Sequence, residues 1–141
     1  MASTATKGFT AEEKAAMKAA AKERKAQESR AEGEQALLDA LAAMNDKDRA
    51  LGERLHAIIS ESAPELAPRT YYGMPAYANQ DGKVVVFYRN SAKFNERYGT
   101  LGFNDVARLD DGTMWPNGFA LTELTAADEQ KIAALMKQAV H

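Results

Sequence analysis

The sequence predicts an α+β domain in which helices cover one face of an antiparallel sheet, with a charged helical extension in front. Three observations predict it. Up to residue 63 the chain is rich in alanine, leucine and long charged residues, with large apolar residues at helical spacing. Pro64 and Pro68 then end helical structure, and the texture turns β-branched and aromatic with turn chemistry between the runs. From Thr125 the helical spacing returns.

The elements follow in order. Residues 1–8 read as a flexible tail. The stretch "FTAEEKAAMKAAAKERKAQESRAE" reads as a long helix, with Thr10 as its cap and Glu13 completing a capping box. From residue 11 to 32 its only large apolar side chain is Met17, so it has little to bury and is expected to project or to lie loosely on the domain. Gly33 marks an expected break, which sets the extension at 1–32 and the domain at 33–141. Leu37, Leu41 and Met44 follow at helical spacing. Asn45 and Asp46 offer a cap for the next helix, and Asp48 suits its first turn. Leu51, Leu55, Ile58 and Ile59 form that helix's apolar stripe.

"KVVVFYR" (83–89) reads as a central strand covered on both faces. "NQDG" before it is turn chemistry, so 75–79 and 83–89 are expected to pair as a hairpin. "KFNERYGTLGF" (93–103) reads as a strand weakened by Gly99 and Gly102. "NDVARLDDG" and "MWPNG" read as loops or turns, and "FALTEL" (119–124) as a short strand. Thr125 caps the last helix with Asp128 in the capping-box position, and Ile132, Leu135, Met136 and Ala139 make its buried face.

Composition bounds the function classes. With 141 residues the chain can bury a real core as one domain. A net charge of −2 argues against bulk nucleic-acid binding, so nucleic acid is not an expected partner of the domain. The absence of cysteine removes disulfides, thiolate metal sites and cysteine nucleophiles. No apolar run is long enough to span a membrane, and the first residues lack the apolar core of a secretory signal; the expectation is a cytoplasmic monomer or homodimer.

The stretch "RTYYGMPAY" (69–77) is the densest candidate site. Gly73 permits a positive φ, and Pro75 holds Met74 extended and removes a donor. A Gly-X-Pro step inside extended chain predicts a bulge or kink at a sheet edge. The tyrosines then either pack a bent strand or wall a pocket with their hydroxyls as polar handles. The pocket reading gathers Tyr72, Met74, Tyr77, Tyr98 and Trp115, with Arg97 as the charged member. In "KFNERYGTLGF", alternation puts Phe94 and Tyr98 on one face and Arg97 on the other, a pattern for stacking or anion binding or simply for a surface strand with one packed side. On the first helix Lys14, Lys18, Lys22 and Lys25 share a face, a stripe for an acidic partner or an ordinary solvated surface.

"YGMPAY" preceding "GKVVVFY", with "KFNERYGTLGF", "LDDGTMWP" and "FALTEL" after it, resembles the YdhG-like family of small bacterial domains over residues 33–141. The resemblance implies a frataxin-like sandwich, and more weakly an iron chaperone using surface carboxylates. Asp105, Asp110 and Asp111 are the densest acidic group for such an ion, although their spacing matches no ligand pattern and Asp-Asp-Gly is ordinary turn chemistry. The chain has only two histidines, and no nucleophile elbow, phosphate loop, dinucleotide glycine pattern or zinc-hydrolase motif. The expected function is therefore a small non-enzymatic binding domain for a metal ion such as iron or for a small ligand. The alternative is a protein- or nucleic-acid-interaction module working through the lysine stripe of the first helix.

Overall fold

The structure is a computed structural model that describes residues 10–141, so the tail read at 1–8 lies outside the described residues. The chain runs α1 (Ala11–Ala42), α2 (Asp46–Ser62), β1 (Ala67–Tyr71), β2 (Met74–Ala78), β3 (Val84–Arg89), β4 (Gly99–Phe103), β5 (Gly118–Leu121) and α3 (Ala126–Ala139). The five strands form one antiparallel meander in the order β1-β2-β3-β4-β5. This is the α+β class that the sequence predicts.

The helices start where the side chains can satisfy their free N–H groups. Thr10 accepts from the Glu13 N–H at 3.0 Å, Asn45 from the Asp48 N–H at 2.8 Å, and Thr125 exchanges bonds with Asp128 in a full capping box. Leu37 and Leu41 of α1, Leu55 and Ile59 of α2, and Ile132 and Met136 of α3 meet Tyr77, Val86, Tyr88, Leu101, Phe103 and Leu121 of the sheet. Register explains why those sheet residues share a face. Tyr77 pairs with Val86 and Val86 with Phe103, while Tyr88 pairs with Leu101.

Four features differ from the sequence reading. First, α1 does not break at Gly33, so the helical extension and the first core helix are one element of 32 residues. Gly33 is instead where α1 crosses β1: a Cβ there would overlap the carbonyl oxygen of Pro68. Residues 10–32 are exposed, as their polarity requires. Second, the kink expected at Gly73–Pro75 is a two-residue hairpin loop. Tyr72 and Gly73 have φ of 50° and 78°, and Tyr71 pairs with Met74 across them. Pro75 consequently sits in the second strand, not at an edge. It belongs to the non-hydrogen-bonded pair with Thr70, and its missing N–H points beyond the last β2–β3 pair, Ala76 with Phe87.

Third, the bulge of this region lies one strand on. Tyr77 pairs with Val86 but Ala78 with Val84, so Val85 is the extra residue, and both Val85 and Val86 join the core. The unbroken "VVV" run is thus the product of a bulge and not of cover on two faces. Fourth, the strand expected over 93–103 is only β4; residues 91–98 form a turn-rich loop. The reason is Asp48. Its buried carboxylate accepts the Ala92 N–H at 3.0 Å, the Ser91 hydroxyl at 2.9 Å and the Asn90 amide at 3.3 Å, which curls the chain over the start of α2.

A candidate binding face on the open side of the sheet

Helices cover one side of the sheet. The other side carries Arg69 and Tyr71 from β1, Met74, Ala76 and Ala78 from β2, Val84, Phe87 and Arg89 from β3, and Thr100 and Gly102 from β4, as the register and the period of two require. Ala76 and Ala78 are buried although no helix lies over them. Arg69 and Phe87 are the neighbours of Ala76 across the strands. Arg69 reaches over β2 to the Gly82 carbonyl at 3.4 Å and also donates to the Thr70 carbonyl at 3.1 Å.

An aromatic strip runs along this face. The Tyr71 ring lies 4.7 Å edge-on from Tyr72 and 5.6 Å from Phe87. Phe87 lies flat over Gly102, where any side chain would overlap the ring. The loop held by Asp48 closes the end of the strip. It places Phe94 under the Arg89 guanidinium, 4.2 Å from carbon to ring centroid, and brings Lys93 beside Gly73. Tyr72 and Asn95 (φ 53°) both hold left-handed backbone at this end.

The electrostatics of the face are cationic. Arg89 Nε stands 2.6 Å from Glu96 Oε1, an ion pair by distance without an aligned N–H. Arg69, Lys83 and Lys93 have no ion-pair partner among the described residues. Beside Tyr71 the face sinks into a hollow of about 490 Å³ lined by Arg69, Tyr71, Lys83, Val84, Asn104 and Asp105. An aromatic ring can stack on the strip while an anion attached to it meets Arg69 and Lys83.

The residues of the expected pocket are placed as follows. Tyr72 stands at the hairpin tip and is 82 % exposed, and Met74 lies buried in the floor of the same face. Tyr77 is on the opposite side, in the core, with its hydroxyl 2.8 Å from His56 Nδ1. Its ionisation is pushed up by burial and then by the Glu34 charge. Arg97 lies over the Tyr98 ring, 5.3 Å from carbon to centroid, in the loop before β4. Trp115 stands in the connection to β5. The structure therefore does not join these four aromatics and Met74 around one hollow. Tyr72 and Met74 share the open face with Tyr71, Phe87, Arg89, Lys93 and Phe94, while Tyr77, Tyr98 and Trp115 lie elsewhere.

The remaining candidates stay apart. Asp105, Asp110 and Asp111 are exposed, and among the described residues no group of three or more histidine, aspartate or glutamate side chains is arranged to hold a metal ion. Lys14, Lys18, Lys22 and Lys25 all lie exposed on the projecting part of α1. No helix among the described residues is long and apolar enough to cross a membrane. Compared with known protein families, with curated proteins and with solved structures, the chain matches none of them.

Proposed function

We propose that this is a non-catalytic binding domain whose open sheet face takes a planar, anionic small molecule. The observation that carries the reading is the continuous strip of Tyr72, Tyr71 and Phe87 bordered by Arg69 and Lys83, cations with no ion-pair partner among the described residues. Stacking on such rings contributes about 1–3 kcal/mol per ligand ring. A charge-assisted bond to an arginine contributes on the order of 1.5–3 kcal/mol. Together, at about 2.5–6 kcal/mol, they suit a ligand of tens-of-micromolar to millimolar affinity, a nucleoside monophosphate being the simplest with both parts. The left-handed Tyr72 supports the same reading, because backbone strain of that kind gathers where ligands are met.

The test is a titration of isotope-labelled protein with adenosine 5′-monophosphate, adenosine and inorganic phosphate, followed by NMR. The expected result is saturable shifts at Tyr71, Tyr72, Phe87 and Lys83 with the monophosphate, weaker ones with either half, and about tenfold weaker binding in Phe87→Ala. Absence of saturable shifts on this face with all three probes at 10 mM overturns the reading.

The exposure of the whole segment 10–32 favours a second reading, an interaction module in which the lysine stripe meets an acidic partner. It requires that Lys14, Lys18, Lys22 and Lys25 changed together to Gln abolish retention on an acidic polymer while the melting temperature stays fixed.

A further inference from the structure

The two edges of the sheet are treated differently. On β1 the outward positions are Pro68 and Thr70, because Arg69 and Tyr71 bond to β2. Pro68 has no N–H and its carbonyl abuts Gly33 of α1, while the Thr70 carbonyl already accepts from Arg69. That edge cannot accept another strand. On β5 nothing of the kind occurs. The Phe103 N–H donates to the Asn117 carbonyl at 2.8 Å, so the alternation makes Phe119 and Leu121 bond to β4 and turns the N–H and C=O of Gly118 and Ala120 outward. Neither residue carries a blocking side chain.

Apolar surface gathers at this open edge. Met114 and Trp115, just before β5, are among the few exposed large apolar side chains, at 88 % and 37 %. Phe119 is only partly buried, and a groove of about 260 Å³ runs between β5 and α3 past Phe119, Leu121, Ile132 and Leu135. An uncovered edge of this kind is a template for another strand.

We infer that β5 pairs with β5 of a second copy of this chain, antiparallel, about a two-fold axis at Phe119. The register argues for a copy over a foreign segment. An axis through residue 119 sets Gly118 opposite Ala120 of the second copy and the reverse. Outward residue thus meets outward residue, and four backbone hydrogen bonds form at once. The same axis sets Phe119 against its own copy in a non-hydrogen-bonded pair, the closer kind, where two half-buried rings cover each other. Charge agrees. Lys131 lies 5.4 Å from the Phe119 ring centroid, so the axis brings the two α3 helices together antiparallel, with Lys131 of each approaching Asp128 of the other. The result is a continuous ten-stranded sheet. Its two open faces lie on one side, so each dimer presents a pair of the platforms described above.

The absence of cysteine makes the register directly testable. Under mild oxidation at 50 µM, Phe119→Cys is expected to cross-link quantitatively to itself, because only that position faces its own copy. Ala120→Cys, facing Gly118 of the other copy, is expected to remain at least tenfold less cross-linked. In sedimentation velocity the unmodified full chain is expected to be dimeric at 100 µM. Ala120→Pro, which removes one outward N–H from each copy, is expected to weaken the dimer at least tenfold with the helical circular dichroism retained. A monomer at 500 µM, or a dimer that cross-links better at Ala120 or at a Thr70→Cys control, overturns the inference.

Discussion

The Asp48 carboxylate receives the backbone N–H of Ala92, 44 positions along the chain, at 3.0 Å, and through it α2 fixes the shape of the loop before β4. The Asp48 main-chain carbonyl accepts the Tyr88 hydroxyl at 2.9 Å as well. One residue at the first turn of a helix thus ties down both the end of β3 and the loop that places Lys93 and Phe94 on the open face.

Replacing Asp48 by Ala should cost about 2–4 kcal/mol, because it removes a buried carboxylate that accepts the Ala92 N–H and two side-chain donors. The pH dependence has a definite sign. Burial works to raise the Asp48 pKa, but the bonds from Ala92, Ser91 and Asn90 outweigh it, so the carboxyl titrates below its ordinary 3.8. A group depressed on folding contributes stability that is present above the unfolded value and is lost as pH falls through the folded one. Urea midpoints should therefore fall more between pH 5 and pH 3 in the wild type than in Asp48→Asn. An equal fall in both proteins would remove Asp48 from the acid response.

A second, part-buried network links α1, α2 and β2. His56 meets Tyr77 through Nδ1 at 2.8 Å and Glu34 through Nε2 at 3.3 Å. A carboxylate only accepts, so Nε2 carries the hydrogen and Nδ1 of the neutral ring accepts from the Tyr77 hydroxyl. Nitrogen NMR of His56 at pH 8 should show the Nε2–H tautomer. Glu34→Ala should weaken that preference, and Tyr77→Phe, which leaves Nδ1 without its hydroxyl partner, should lower stability by about 1–2 kcal/mol. A mixture of tautomers in the wild type would contradict the assignment.

Gly33 gives a prediction with an unusual sign. In an exposed helix Gly→Ala stabilises by about 1 kcal/mol. Here the added methyl meets the Pro68 carbonyl, part of the backbone, and the helix must lift from β1. Gly33→Ala should destabilise by about 1–3 kcal/mol in a thermal melt. A rise in melting temperature would show that α1 does not lie this close to β1.

These cases indicate what the sequence could and could not disclose. The caps at Thr10, Asn45 and Thr125, and the stripes Leu51–Ile59 and Ile132–Met136, were legible because a local rule fixes each. Gly33 was misleading because a helix glycine that breaks the chain and one that lets a strand approach look alike until the strand's position is known. Tyr77 and Phe87 exchanged roles for a similar reason. Sequence parity gives alternation, but only the bulge at Val85 and the hairpin at Tyr72–Gly73 decide which set faces the helices. Lys93, Phe94 and Arg89 form one cluster through Asp48, a contact across 40 or more positions that no local pattern carries.

Gly102 separates the platform from the fold. Its missing side chain lets Phe87 lie flat across β4, and the atoms a methyl would meet are the far end of that ring, on the uncovered side. Gly102→Ala should therefore turn Phe87 outward at little cost to the core, less than about 1 kcal/mol, since strand propensity favours alanine over glycine. The strip of Tyr72, Tyr71 and Phe87 would lose its flat end. Adenosine 5′-monophosphate should then bind at least fivefold more weakly while the melting temperature moves by only a few degrees. If the variant binds as the wild type does, a flat Phe87 is not what the ligand rests on, and the weight of recognition shifts to Tyr71 and the arginine beside it.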